Sequence, residues 1–390
     1  MRLKVTACLR PALLAGLFAA APAAAQVDSA ALVTVLGRDT LALERWVRTP
    51  ERVTAEAVVR SPRTTVRRYV LDLAPDGRMR RFEERTFDPA QAGGAPVRTD
   101  VYEAAEDGWT RTLSQGDSVA TARVEAPAES LPWVDLVHWP FELVLMRARG
   151  GQGGAAPLLS GGRPLAYTVT PTQGGGWTLT HPFRGPSVAQ VDAQGRLRSL
   201  DAAGTTRKVI VTRQPWVEID GVATRWARAD SEGRGMGELS GRGREEASVA
   251  GARIVVDYGQ PQRRGRDIFP GIVRWGQVWR TGANRATHIT TDRALVLGGA
   301  EGTLEVPAGE YTLFSIPEEN GGWLIVNRQT GQNGTAYDSA QDLGRVRMRL
   351  AMTDELVEAF TIHADAVCGD EGVLRLAWDD TEFSVPFRVR

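Results

Sequence analysis

The sequence predicts a mainly β protein in two parts: an N-terminal antiparallel β-meander, half-barrel-like with short helices, and a C-terminal β-sandwich or barrel. Three observations predict it. Short runs rich in Val, Ile, Thr, Tyr, Phe and Trp recur from Val66 to the C terminus, with the composition and length of half-buried strands. Asp76-Gly77, Asp107-Gly108 and Asp220-Gly221 fall between or inside such runs. D-G favours two-residue hairpin turns because glycine supplies the positive φ the turn needs. Near the C terminus, Val346, Met348, Leu350 and Met352 alternate with Arg345, Arg347, Arg349 and Ala351, the pattern of a strand with one wet face.

In chain order, residues 1–25 come first. Arg2, Lys4 and Arg10 precede the apolar run from Ala12 to Ala21, and Ala23-Ala24-Ala25 supplies an A-x-A site before Gln26. This is the layout of a secretory signal peptide cut after Ala25, so the mature chain is expected in the periplasm or secreted. Cys8 precedes the apolar run instead of following it, and no lipid anchor is expected. No later stretch approaches the roughly 20 apolar residues of a membrane-spanning helix. Subtracting those three basic residues from 47 leaves 44 against 47 acidic ones, a formal charge of −3, which gives no sign of nucleic-acid binding. Cys368 alone remains after cleavage, so no intramolecular disulfide can form and stability must come from packing.

Residues 26–230 form the predicted meander. Leu32, Val35, Leu36, Leu43 and Trp46 predict one or two short helices over 28–46. Strands are expected at Val66–Leu73, Met79–Phe87, Thr99–Ala104, Trp109–Leu113 and Ser118–Val124. The segment 131–148 interrupts them as a helical insert, read either as the closure of a curved sheet or as the cover of an apolar cavity. Strands resume from Leu165, the last being Trp216–Trp226 with a turn at Asp220-Gly221. The glycine-rich stretch 231–250 reads as a flexible linker. Residues 251–390 complete the second β unit. In it Val306-Pro307-Ala308-Gly309 fits a type I turn, and Pro386, unable to donate to a ladder, marks an edge strand.

Trp275 to Thr287, W-G-Q-V-W-R-T-G-A-N-R-A-T, follows neither a strand nor a helix period and reads as a structured loop. From residue 260 to 290 the chain carries six arginines, among them Arg266, Arg274 and Arg280, against one aspartate, Asp267. Planar guanidinium forks and aromatic faces recognise anions and sugars. Tyr258, Arg266, Trp275, Trp279, Arg280 and Asn284 are therefore the candidate contacts for a small anionic or carbohydrate-like ligand. The alternative is a solvated arginine face with the Trp side chains in the core.

Catalytic patterns are sparse. There is no G-x-S-x-G, no H-E-x-x-H and no phosphate-binding G-x-x-x-x-G-K, and neither a cofactor nor a metal site is expected. His288, just after the loop, is the one candidate base, with Asp257 or an aspartate from another loop as its partner.

The residues Tyr258-Gly259-Gln260-Pro261, Arg264 to Phe269 (R-G-R-D-I-F), Val278 to Asn284 (V-W-R-T-G-A-N), Ala286-Thr287, Val306 to Tyr311 (V-P-A-G-E-Y), Ile325 to Asn327, Tyr337-Asp338 and Val385-Pro386 occur in this order. Together they resemble the bacterial family called domain of unknown function 2911, over about residues 245–390. The resemblance implies an exported, β-rich bacterial domain and no established activity. Members often carry Trp in a G-Q-x-G element where this chain has Asn333, so no role for that loop is carried over.

The reading that follows is an exported binding or envelope-associated β-protein, without catalysis, whose recognition loop is 275–288. Two alternatives stand beside it: a hydrolase of a polymer or envelope component using His288, and a carrier of lipid or another hydrophobe in the N-terminal unit.

Overall fold

The structure, a computed structural model, describes residues 28–91, 94–151 and 153–390; the expected signal peptide lies outside them. The first sheet is built from β1 (Asp28–Leu36), β2 (Asp39–Arg48), β3 (Arg52–Val59), β4 (Thr65–Leu73), β5 (Met79–Phe87), β6 (Arg98–Ala105), β7 (Gly108–Gln115) and β8 (Ser118–Val124). After β9 (Leu131–Pro132) and helix α1 (Trp139–Arg149), it continues through β10 (Gly154–Ser160), β11 (Arg163–Pro171), β12 (Trp177–His181), β13 (Gly185–Val191), β14 (Leu197–Asp201) and β15 (Ile210–Gln214). Its fifteen strands run in the order β8 to β1, then β15 back to β9. The pairing of β1 with β15 thus joins two meanders into one sheet whose outer strands, β8 and β9, do not pair with each other.

Helix α1 fills the hollow of this sheet. It is buried from Trp139 through Leu145, and the Trp139 ring lies 5.9 Å from Tyr69 of β4, which stacks on Phe82 of β5 at 6.1 Å. Polar anchors fix both flanks of the helix. Glu44, fully buried on β2, accepts the backbone N–H of His138 at 2.9 Å and of Trp139 at 2.8 Å, occupying donors that the first turn leaves without partners. Across the helix, Glu142 accepts from Leu197 N and from Arg213, whose guanidinium lies over Trp46 at 5.4 Å.

The second sheet has nine strands. After helix α2 (Asp220–Ser231) come β16 (Ser240–Val249), β17 (Ala252–Pro261), β18 (Thr287–Thr291), β19 (Leu295–Gly299), β20 (Gly302–Val306), β21 (Gly309–Glu318), β22 (Gly321–Asn327), β23 (Asp342–Cys368) and β24 (Glu371–Val389). Their order is β16-β17-β18-β21-β22-β23-β24-β19-β20. The long β23 and β24 bend at register shifts between Met352 and Thr361 and fold back over β17. There the Tyr258 and Phe360 rings meet at 5.7 Å, and the Tyr258 hydroxyl accepts from Ile362 N at 3.2 Å. The result is a sandwich made from one folded sheet, with Tyr258, Phe360, Trp378 and Phe383 in its core.

Several sequence expectations are corrected. Residues 28–46 form β1 and β2, not helices: Ala42, Glu44 and Trp46 are buried in alternation, a period of two hidden by a buried carboxylate at one of its inward positions. Trp216–Trp226 is not a strand, and Asp220-Gly221 is not a hairpin turn. Glu218 accepts from Gly221 N at 2.6 Å and Val222 N at 3.1 Å and so starts α2, whose Ile219 and Ala223 pack on Val58 and Val66.

The linker shrinks to 232–239, because 240–249 pair with β17 along their whole length. Gly243 there is a packing residue, since a Cβ would sit 2.2 Å from the Tyr258 ring. Pro386 is not on an edge strand: β24 lies between β23 and β19. The proline is accommodated because pairing with β23 ends at Ser384 and pairing with β19 begins at Phe387.

The two sheets meet at the turn between β1 and β2. Arg38 N donates to Arg264 O at 3.0 Å, and Arg264 Nη1 donates to Asp39 Oδ2 at 2.8 Å. The Arg264 backbone N–H is held by Glu358 Oε1 at 2.8 Å. The contact requires glycine at position 37, where φ is +58° and a Cβ would lie 2.2 Å from Arg264 O. Gly37→Ala is predicted to cost about 1–2 kcal/mol for the left-handed backbone alone and to separate the sheets. Small-angle scattering should show a larger radius of gyration and limited proteolysis faster cleavage within 232–239; an unchanged radius and cleavage rate would contradict this role.

Candidate functional site

The loop after β17 is braced by its own backbone. Trp279 bridges to β21, donating to Ser315 O at 2.7 Å and accepting from Ser315 N at 2.9 Å. Thr281 takes φ of +51°, a left-handed value costly for a β-branched residue. Two bonds hold it there: Thr281 Oγ1 donates to Ser315 Oγ at 2.9 Å, and Thr287 Oγ1 donates to Thr281 O at 2.6 Å. Ala283 N donates to Gly259 O at 3.2 Å, an approach that only glycine allows, because a Cβ on Gly259 would fall 1.7 Å from Ala283 O.

This brace divides the predicted contacts. Trp275 stacks on Phe269 at 5.2 Å and Trp279 on Trp378 at 6.0 Å, so both rings serve the core, while Trp279 also lines a cleft. Arg266, Arg280 and Asn284 line that cleft too. Tyr258 lies in the sandwich core, and neither it nor Trp275 reaches the cleft lining.

His288 and Asp257 are adjacent partners on β18 and β17, yet both lie outside the lining and are already engaged. His288 Nε2 accepts from Gly331 N at 3.0 Å, with burial holding the ring below its ordinary pKa, and Asp257 is bound by Arg244 at 2.8 Å.

The cleft is the space between the two sheets, about 780 Å³ in volume, within the usual range for organic ligands. Its second wall comes from the N-terminal unit: Asp135, Arg184, Arg207 and Lys208. Asp135 receives Arg184 Nη1 at 2.8 Å and also Arg207. Burial pushes its carboxyl up, but the two guanidiniums outweigh this and hold it below the ordinary value.

The remaining cations have no such partner. Arg280 is half-buried and donates through Nε to Gly282 O at 3.3 Å; burial alone depresses its pKa. Lys208 Nζ donates to Ala203 O at 3.0 Å, and its pKa is lowered first by burial and then by Arg266, Arg274 and Arg280. Arg266 spends Nε and Nη2 on the carbonyls of Arg263 and Gln262. Among the described residues, no carboxylate forms an ion pair with Lys208, Arg266 or Arg280. The buried Trp378 Nε1, in a residue that also lines the cleft, has no acceptor among the described residues.

Sequence reasoning missed the N-terminal wall because nothing local connects Asp135, Arg184 and Lys208 to a loop some seventy or more residues away. One signal was available: Lys4 and Lys208 are the two lysines of the whole sequence, so an amine at position 208 departs from the chain's general use of arginine. Among the described residues, no group of three or more His, Cys, Asp or Glu side chains is placed to hold a metal, and no helix is long and apolar enough to cross a membrane.

Residues 240–387 match the family model described as "Protein of unknown function (DUF2911)". The C-terminal domain is a DUF2911 domain. The cleft's loop, Arg266 through Asn284, therefore belongs to the DUF2911 domain, whereas Lys208 and Asp135 lie outside the match. No curated protein matches the chain. Among solved structures, it is similar to the beta-barrel-like protein of domain of unknown function DUF1849 from Brucella abortus, at 13% identity and a TM-score of 0.31, with 48% of this chain and 94% of that chain covered.

The N-terminal unit carries a titrating group outside the cleft lining. His181 is packed among Trp133, Tyr167 and Phe183, and accepts from Phe183 N through Nδ1 at 3.0 Å. Burial, and then Arg184, lowers its pKa from 6.5 to about 4. The folded state thus prefers the neutral ring. Stability is complete above about pH 6.5, where the unfolded chain also loses the proton, and declines as pH falls toward about 4. Melting temperatures measured from pH 7 to pH 4 should fall more steeply for the parent than for His181→Gln; parallel curves would remove His181 as the cause.

Proposed function

We propose that this chain is an exported binding protein whose cleft between the two sheets takes an anionic organic ligand, without catalysing a reaction. The observation that carries the reading is that Lys208, Arg266 and Arg280 line one cleft with no carboxylate paired to them among the described residues. Leaving charges partly desolvated and unpaired is costly, and an anion in the cleft removes that cost. Asn284, exposed at the rim, adds a neutral donor and acceptor.

The alternatives draw less support. A hydrolase needs a free base, and the Nε2 lone pair of His288 is used by Gly331. A hydrophobe carrier needs an open concave face, and α1 occupies it with Trp139, Phe141 and Leu145 buried.

Thermal-shift screening and calorimetry of the mature protein against anionic and neutral sugars, nucleotides, peptidoglycan fragments and fatty acids test the proposal. An anionic compound should raise the melting temperature of the parent. Arg280→Ala should weaken its binding by about 10- to 100-fold, the loss of one charge-assisted interaction of about 1.5–3 kcal/mol. If no anion shifts the parent more than it shifts the variant, the cleft is not the site. Export is tested separately: N-terminal sequencing of protein from the extracytoplasmic fraction should begin at Gln26, and retention of the intact N terminus in the cytoplasm would overturn it.

A further inference from the structure

The chemistry of the cleft narrows its ligand further, on the reading just given that it is a binding site. The donors are arranged, not merely collected. Arg280 is anchored through Nε to the carbonyl of Gly282, and among the described residues its two terminal nitrogens have no hydrogen-bond partner. Arg266 is fixed through Nε and Nη2 to the carbonyls of Arg263 and Gln262, which leaves Nη1. Lys208 spends one of its three N–H groups on Ala203 O. Its backbone is pinned at φ of +54°, with Lys208 N donating to Thr205 Oγ1 at 3.2 Å.

Three cations lining one cleft, with Arg266 and Arg280 near enough to Lys208 to act on its ammonium, are poorly served by a single carboxylate, which brings one negative charge and two oxygens. A phosphomonoester near neutral pH carries about −1.5 to −2 and three strong acceptor oxygens, and guanidinium forks match it bidentately. On the N-terminal wall Arg184 and Arg207 share Asp135, so Lys208 is the cation of that wall without a carboxylate among the described residues. With a volume of about 780 Å³, the cleft is far larger than a phosphate and has apolar lining at Trp279 and at Val278, which is 45% exposed.

We infer that Lys208, Arg266 and Arg280 seat the phosphate of a phosphomonoester whose organic body fills the rest of the cleft. Lys208 comes from the loop between β14 and β15 and the two arginines from the connection between β17 and β18, so the phosphate bridges the N-terminal and C-terminal units.

The test is calorimetry on the full mature chain with glucose 6-phosphate, glucuronate and glucose, and co-sedimentation with phosphatidylcholine vesicles with and without phosphatidic acid. A phosphomonoester, free or in the vesicle, should bind at least 10-fold tighter than glucuronate, with glucose not binding. Lys208→Ala and Arg266→Ala should each weaken it at least 10-fold, and Lys208→Arg should recover most of the loss. Circular dichroism of each variant confirms that it is folded.

Binding confined to phosphatidic acid vesicles identifies the source as a lipid, and binding confined to glucose 6-phosphate identifies a soluble ester; either supports the phosphate seat. Glucuronate bound as tightly as the phosphate, with the same dependence on Lys208 and Arg266, overturns the phosphate assignment and leaves an anion-binding cleft. Phosphate binding indifferent to both substitutions overturns the assignment by placing the site elsewhere. Failure of every anion to bind removes the binding reading itself.

Discussion

The contact between the Gly37 turn and the Arg264 carbonyl is the constraint on which the site depends. Each sheet has its own core, and neither core alone produces a cleft. Lys208 and Asp135 sit on connections of the first sheet, Arg266 and Arg280 on the connection from β17 to β18 of the second, and they line one cleft because Arg38 N donates to Arg264 O and Arg264 in turn holds Asp39. The geometry is exacting on both sides: glycine at 37 has no Cβ to block the approach, and Arg264 adopts φ of +54° while buried. Glu358, from the bent part of β23, fixes the Arg264 backbone from behind. The fold-back of the second sheet therefore takes part in positioning the cleft as well as in closing the sandwich.

Against this scaffold the electrostatics are uneven in an informative way. Most arginines of the chain meet carboxylates: Arg213 meets Glu142, Arg111 meets Asp100, and Arg263 meets Asp379. Such pairs return much of the cost of withdrawing charge from water. Lys208, Arg266 and Arg280, like Arg147 and Arg274, have no such pair among the described residues, and the first three line one cleft together with Trp378, whose buried indole nitrogen finds no acceptor there. The loop that presents Arg280 also carries strain at Thr281, held by Ser315 and Thr287. Unpaired charge and strained backbone both persist only where the surrounding structure imposes them.

The fold was legible where the burial pattern was apolar. Val346 to Met352 read as a strand and lies within β23. Asp76-Gly77 and Asp107-Gly108 fall where β4 turns into β5 and β6 into β7, each glycine at positive φ, but as a five-residue connection over 74–78 and a two-residue loop at Glu106-Asp107, not as D-G two-residue turns. Errors arose where polar side chains do the work of apolar ones or of the backbone. Glu44 sits fully buried at an inward position of β2 because it caps α1 across the sheet, which hides the alternation. Glu218 supplies acceptors to the first turn of α2 and so converts an apparent D-G hairpin into a helix start. In each case the deciding partner is a hydrogen bond that residue type alone does not announce.

The site was half legible for the same kind of reason. Sequence by itself determined that the chain is mainly β, that its C-terminal part is of the DUF2911 type, and that arginine, tryptophan and glycine concentrate between residues 260 and 290, because these are properties of neighbouring residues and of their order. It marked Arg266, Trp279, Arg280 and Asn284, which do line one cleft, and it also marked Tyr258 and Trp275, whose rings the core consumes. Only the tertiary structure decided which of those side chains remain available, and that Lys208 and Asp135 stand opposite them. Opposition across a cleft is set by how two sheets dock through Gly37 and Arg264, a long-range contact that leaves no periodicity in the chain.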